Sequence, residues 1–296
     1  MEPLTMKRKS KNPENRLGHL MSLPYTLYFL LFVGFPLVFS FILIFHKWNV
    51  ITPMEWVGLR NFIRLSQDKL FFQSILNTLK FLIIHIPLQI VVALLLAVLL
   101  NQKIKARGFF RAVYFLPVIV SGVVITLLWR QLYAYDSGLL NTLLTKLGLS
   151  RIPWITHPDW AMPSIAIMAT WKNVGLYIVL FLVGLQGIPR YLYEAAEIDG
   201  ARPVQQFFFI TLPALNSTIV LVIILSTIGG FSLFIEPFVM TGGGPVNSTL
   251  SAMLYIYNQA FYFGHMGYAA TLGFFFAVIV LIIVLIQKKL VEQKDT

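Results

Sequence analysis

Between Leu17 and Phe45 the chain carries no Asp, Glu, Lys or Arg. A helix needs about 20 apolar residues to cross a hydrocarbon core, and inside it every backbone amide must be satisfied by the helix itself. Five further runs meet that length. They lie at about Leu76 to Leu100, Phe109 to Trp129, Pro163 to Leu185, Leu215 to Met240 and Met266 to Gln287. The stretch from Pro237 to Gln287 is uncharged but too long for one helix, and the glycine-rich "TGGGPVN", Thr241–Asn247, divides it. The expected fold is all-α: a polytopic membrane protein with six transmembrane helices. Charged residues make up 12% of the chain, against about 25% in soluble domains, which supports that reading. Lys7, Arg8, Lys9, Lys11 and Arg16 precede the first run like the basic start of a signal peptide. The apolar core is too long for one, and no small-x-small cleavage site follows, so the run is read as a span.

Lys and Arg counts orient the spans. Five lie in the tail to Met21, four in Gln102–Arg111, three after Gln287, and none between spans five and six. Cationic loops stay on the cytoplasmic side, so both termini are expected there. The loop His46–Ser74 also carries four but is less decisive. The net charge of +11 is thereby explained by loops, and no basic stripe with interleaved aromatics points to nucleic acid. The absence of cysteine excludes disulfides, thiolate catalysis and Cys-ligated metals. The expected organisation is a basic tail (1–22), a first span with an external segment (23–75), a core of five spans (76–287) and a tail (288–296).

Two external segments look ordered. "MEWVGLRNFIRL", Met54–Leu65, places Trp56, Leu59, Phe62 and Ile63 at helical spacing, which predicts an amphipathic interfacial helix. The loop Gln131–Trp160, with Pro153 and Trp154, reads equally as a docking surface or a connecting loop. Enzyme chemistry is missing. No G-x-x-x-x-G-K-[ST] stretch cradles phosphate, no G-x-S-x-G elbow occurs, and the five histidines form no H-E-x-x-H pattern. No cofactor or metal is expected on this chain. His85, inside span two, is read as a packed, hydrogen-bonded side chain. Glu194 and Glu197 stand three apart but have no partner histidine.

Those acids belong to "YLYEAAEIDGARPVQQFFFITLP", Tyr191–Pro213, a charged interruption between spans four and five. Pro189 can open a helix, Gly200 suits a left-handed C-cap, and Asp199 is placed to cap a second helix containing Pro203. Phe207, Phe208, Phe209 and Ile210 form an apolar wall. The expected shape is a helix–turn–helix on the cytoplasmic side, spanning 189–213. Its acids outnumber its bases, so an anionic leaflet repels it, which favours a protein partner over the lipid surface.

The stretch resembles the EAA loop of ABC importer permeases. It has E-A-A, then G after three residues, then I-x-L-P: Glu194, Ala195, Ala196, Gly200, Ile210, Leu212 and Pro213. "WVGLRNF", "NTLKF", "YFLP", "TGGGP", "YIYNQAF" and "GYAA" are similar to the sugar-importer branch, the maltose and glycerol-phosphate type, and the likeness runs from about Trp56 to Lys289. The resemblance implies a type I ABC importer fold in a bacterial or archaeal cytoplasmic membrane. It also implies a second permease subunit, two ATP-binding cassette subunits holding ATP and Mg, an extracytoplasmic solute-binding protein, and lipid around the spans. Glu194 would pair with a basic group of the ATPase, Ala195 and Ala196 would pack in its cleft, Gly200 would make the turn, and Asp199 lies beside it.

Polar residues within spans mark pathways. Span four holds Trp171, Lys172, Asn173 and Tyr177; span five holds Ser226, Gly229, Gly230, Phe231, Ser232 and Glu236. Trp171, Asn173, Tyr177, Phe231 and Ser232 are the expected substrate contacts, where the family has a membrane site. The alternative is helix packing. Lys172 and Glu236 either pair or snorkel, and Gly229-Gly230 could loosen the helix. A di- or oligosaccharide is favoured, with glycerol phosphate or another polyol next. A self-contained secondary transporter is the reading from another class.

Overall fold

The computed structural model describes residues 13–102 and 107–292. Lys7, Arg8, Lys9, Lys11, Lys103, Lys105 and Lys294, on which much of the expected orientation rests, lie outside the described residues. The chain is helical almost throughout. Helix α1, Pro13–Phe29, passes through a π turn, Leu30–Gly34, into α2, Phe35–Leu43. Strands β1, His46–Lys47, and β2, Glu55–Trp56, form a small antiparallel ladder before α3, Arg60–Ser66. Then come α4, Lys69–Asn101, α5, Arg107–Ile119, α6, Gly122–Leu132, α7, Leu139–Lys146, and α8, Pro158–Gln186. Helices α9, Arg190–Ile198, and α10, Pro203–Gln206, lead through a π turn, Phe207–Thr211, into α11, Leu212–Ala214. Next are α12, Asn216–Phe231, α13, Ile235–Met240, and α14, Ala252–Tyr257. After a π turn, Asn258–Tyr262, comes α15, Met266–Glu292.

Four helices are long and apolar enough to cross a membrane, and two bent pairs raise that to six. One bend falls within the expected third span; the other, of 64°, lies at Leu215 between α11 and α12, where the fifth is expected to begin. Helices α5 and α6 meet at 99°. Pro117 lacks the N–H for the helix ladder and crowds the turn before it, and Ser121 leaves helical geometry with ψ at 127°. The fifth run, expected as Leu215 to Met240, divides after Phe231, and Phe234 is non-helical at φ −139° and ψ −56°. Pro237 cannot donate back to the Leu233 carbonyl. Ser251 Oγ donates to that carbonyl instead, at 2.6 Å, so that acceptor is not stranded at the break. Gly229 and Gly230 lie in the last turn of α12, next to that break, and their carbonyls accept from Ser232 N and Leu233 N at 3.1 and 3.2 Å. Gly230 makes room for the Leu82 side chain.

The interfacial segment is also shorter than its periodicity predicts. Gly58, at φ +57°, ends the approach to α3, and Trp56 pairs in the ladder opposite His46. The Trp56 ring stacks on Phe45 at 5.6 Å, and buried Asn61 donates to the Ile44 and His46 carbonyls at 2.8 and 3.0 Å.

Helices α4 and α8 form the spine of the molecule. Fully buried Ala93, Ala97 and Ala166 line their two cores, the small residues that allow close helix approach. Gly175 lies against the Tyr114 and Phe115 backbone of α5, where a Cβ would overlap the Tyr114 carbonyl. Helix α12 packs on α4 and α15, and α13 packs on α6. The first span is peripheral: 6% of its apolar window is buried.

Two polar anchors tie separate segments together. Asp68 Oδ1 accepts the Phe71 N–H at 3.0 Å and caps α4, while Oδ2 accepts the hydroxyls of Tyr255 and Tyr268 at 2.7 and 2.5 Å. Burial raises the Asp68 pKa, but the bonds from Tyr268, Tyr255 and Phe71 outweigh it and hold it below the usual value. A depressed carboxylate stabilises the fold above its unfolded pKa of about 3.9, and that stability is lost as pH falls through the lower folded value. The second anchor is Asn141, 1% exposed. Its Nδ2 donates to the Tyr135 and Ile152 carbonyls, and its Oδ1 accepts from Ile152 N and Trp154 Nε1, all at 3.0 Å. The loop Gln131–Trp160 is therefore a built element. Asn141→Leu should strand these groups at about 1–3 kcal/mol each. The expected result is a lower thermal midpoint and faster proteolytic nicking within this loop.

Candidate functional site

The charged interruption folds as two short helices around Gly200. Helix α9 has Pro189 as its N-cap rather than its first residue. It ends in a Schellman motif, with Gly200 at φ +78°, Ala201 N donating to the Ala196 carbonyl at 2.8 Å and Gly200 N to the Glu197 carbonyl at 3.1 Å. Asp199 is the C-cap of α9 and not the cap of the next helix. Arg202 is the N-cap there, and Gln205 Oε1 in the first turn accepts its N–H at 2.7 Å. Asp199 is too close to the turn, because Gly200 and Ala201 intervene before Arg202. Tyr193 and Thr211 join hydroxyl to hydroxyl at 2.8 Å, and Gln206 Nε2 donates to the Ala201 carbonyl at 3.3 Å. These bonds tie the hairpin into one piece.

Its surface exposes several apolar side chains. Ile198 is 87% and Phe209 79% exposed, and Tyr191, Val204 and Phe208 are also exposed. Ala195 is exposed and Ala196 half-buried between them, while Ile210 and Leu212 are half-buried and Pro213 exposed. Glu194 stands on the same helix and pairs with Arg190 at 3.1 Å, both side chains lying mostly in solvent.

Where α8 passes α12 and α13, a cavity of about 250 Å³ opens. Asn173, Tyr177 and Ser232 line it, together with Ser226. Trp171 and Phe231 do not. The Trp171 ring lies against Trp129 at 5.4 Å, and Phe231 is buried edge-on against Phe276 at 5.7 Å. Helical periodicity explains both: neighbours of pathway residues on a helix turn about 100° away. Span two also reaches the cavity, through Phe81 and His85. His85 Nδ1 bonds Thr170 Oγ1 at 2.9 Å, and its ring stacks on Phe81 at 4.8 Å, so it is packed and hydrogen-bonded. A lone histidine in an apolar run was the signal that span two contributes here. Lys172 and Glu236 also line the cavity and are paired.

A larger cavity, about 580 Å³, lies at the β-ladder end and includes Arg60, Arg64 and His265. Arg64 is committed there: it lies 3.9 Å over the Tyr268 ring and donates to Gln259 Oε1 at 3.3 Å. Among the described residues no three His, Cys, Asp or Glu side chains gather as metal ligands.

Residues 81–294 match the family model "Binding-protein-dependent transport system inner membrane component". The chain is 36% identical over 281 residues to the probable ABC transporter permease protein YurN of Bacillus subtilis (strain 168), covering 93% of this chain and 96% of that one. It is also 36% identical over 277 residues to the arabinooligosaccharides transport system permease protein AraP of the same organism, covering 92% and 87%. In three dimensions it is similar to a chain of a bacterial ABC transporter involved in import of the acidic polysaccharide alginate. There the TM-score is 0.79 and the identity 25%, over 95% of this chain and 96% of that one.

Proposed function

The chain belongs to the family of binding-protein-dependent transport system inner membrane components, and from that premise we propose how its parts act. As a permease subunit of an ABC importer it is not itself catalytic; ATP hydrolysis belongs to a separate subunit. In our reading it crosses the bacterial or archaeal cytoplasmic membrane six times, with both termini inside. It works beside a second permease, two ATP-binding cassette subunits carrying ATP and Mg, and an extracytoplasmic receptor that delivers a di- or oligosaccharide. The names of relatives such as AraP support the sugar class.

The observation that carries the reading is the exposed, internally tied hairpin at 189–213. Isolated apolar side chains on a surface are ordinary, but a contiguous patch marks an interaction site. The hairpin's own hydrogen bonds let it move as a unit. A subunit that seats it and closes on ATP pulls on both α8 and α12, which flank the cavity. Glu194 supplies a charge for a basic partner group, Ala195 and Ala196 the close approach, and Gly200 the turn. Ile210, Leu212 and Pro213 join the hairpin to α12. The test is uptake of labelled maltose, lactose and arabinotriose by the complete transporter in proteoliposomes. Uptake should vanish when the ATPase subunits are left out. Uptake by this chain alone would refute the reading.

Within the cavity, Asn173 and Tyr177 are proposed to hydrogen-bond sugar hydroxyls. Asn173→Ala and Tyr177→Phe should each raise the half-saturating solute concentration about ten-fold, the worth of one hydrogen bond of ~1.4 kcal/mol. Unchanged uptake by both would remove them from the pathway.

A further inference from the structure

The cavity beside α8, α12 and α13 has one ammonium and one carboxylate among its lining side chains, and they meet. Lys172 Nζ donates to Glu236 Oε1 at 3.0 Å, with the side chains 16% and 11% exposed. The remaining polar groups are the amide of Asn173, the Tyr177 hydroxyl, the Ser226 hydroxyl with its oxygen buried, the Ser232 hydroxyl, which donates to the Ile228 carbonyl at 3.2 Å, and His85, which bonds Thr170. The backbone is shaped for this pair. Gly122 opens α6 just past the 99° bend, and a Cβ there would stand 3.0 Å from Lys172 Nζ, so the glycine leaves space for the ammonium. Glu236 lies in the first turn of α13, the helix created by the break before Pro237. That position suits a negative charge.

We propose that the Lys172–Glu236 pair sets the charge of the solute that the cavity accepts, admitting an uncharged saccharide and rejecting acidic or basic ones. This rests on the reading that the saccharide passes through this cavity. The pair consumes both charges within the wall, and the amide and hydroxyls beside it carry no charge. A uronate would have to bury its carboxylate unpaired or compete with Glu236 for Lys172. An amino sugar would face the mirror problem. Family membership does not decide the matter, because the relatives' names include both an arabinooligosaccharide system and an importer of an acidic polysaccharide. Removing one partner leaves the other charge buried without its counter-ion. Glu236→Gln therefore offers an ammonium to a carboxylated sugar, and Lys172→Gln offers a carboxylate to an amino sugar.

The test is equilibrium binding to the complete detergent-solubilised transporter without its receptor. The probes are maltose, lactose and arabinotriose as neutral sugars, trigalacturonate as the acidic one and the glucosamine trimer as the basic one. Wild type should favour a neutral probe over both charged ones by about ten-fold or more. Glu236→Gln should move the acidic-to-neutral ratio toward acid by about ten-fold, and Lys172→Gln should move the basic-to-neutral ratio toward base by about as much. A gain for acid in one variant and for base in the other cannot come from a loosened fold. Wild-type preference for a charged probe, or ratios unmoved in both variants while a neutral sugar still binds, would overturn the filter alone. If no probe binds the wild type, the membrane site itself falls, and the filter with it.

Discussion

Glu194→Lys is expected to cut solute uptake by about a hundred-fold or more, equivalent to ~2.7 kcal/mol of lost coupling, with the protein still present in the membrane. The magnitudes separate the two effects. The Arg190–Glu194 pair that the substitution breaks lies in solvent, and exposed pairs contribute about 0–1 kcal/mol to stability. The fold therefore has little to lose. A docking partner that expects an anion would meet a cation instead. Gly200→Val should give the same pattern for a different reason. A Cβ at Gly200 meets nothing within 4 Å, but the residue sits at φ +78°. The cost is left-handed strain, ~1–2 kcal/mol, and it is relieved by re-aiming α9 against α10. Uptake and membrane abundance, measured on the same cells, check both. Normal uptake by either variant contradicts the coupling role.

Gly267→Val is expected to do the reverse and remove the protein itself. A Cβ at Gly267 would overlap the His46 carbonyl and stand 3.0 Å from the Leu43 carbonyl. These are backbone atoms at the end of α2 and in β1, so no side chain can swing aside. The neighbouring Met266 N also donates to the Trp48 carbonyl at 2.9 Å. Overpacking usually costs about 1–3 kcal/mol and more where backbone must shift. The start of α15 would be forced off the ladder, taking Tyr268 away from Asp68. Membrane abundance should fall several-fold, with a lower thermal midpoint for what remains. Abundance equal to wild type would show that this close approach is dispensable.

Much of this was legible before the fold. Length and apolarity locate the four helices long enough to cross a membrane, because a membrane helix is a one-dimensional requirement. The hairpin at 189–213 was legible as well, since a glycine C-cap and a proline-opened helix are local signals. The bends were not. Pro117 and Pro237 are visible in the sequence, but whether a proline kinks a span or ends it depends on what satisfies the freed carbonyl. At Leu233 that partner is Ser251, far along the chain. The cavity was partly legible: polar residues within spans pointed to Asn173, Tyr177 and Ser232. The helical phase that turns Trp171 and Phe231 away needs the packed structure. Lys172 and Glu236 were left between pairing and snorkelling because 64 residues separate them. The ladder at Trp56 escaped notice because helical spacing continued through Gly58, whose positive φ ends it.

The central claim is that the hairpin at 189–213 is the surface on which an ATP-hydrolysing subunit acts. The chain has no cysteine of its own, so one introduced at Ile198, 87% exposed at the hairpin's edge, reports on that place alone. Ile198→Cys, labelled with a benzophenone maleimide in membranes holding the complete transporter, should on illumination join this chain to the ATP-hydrolysing subunit, with a yield that changes when ATP is added. Adducts to lipid alone, or to the subunit with a yield indifferent to ATP, would contradict the account.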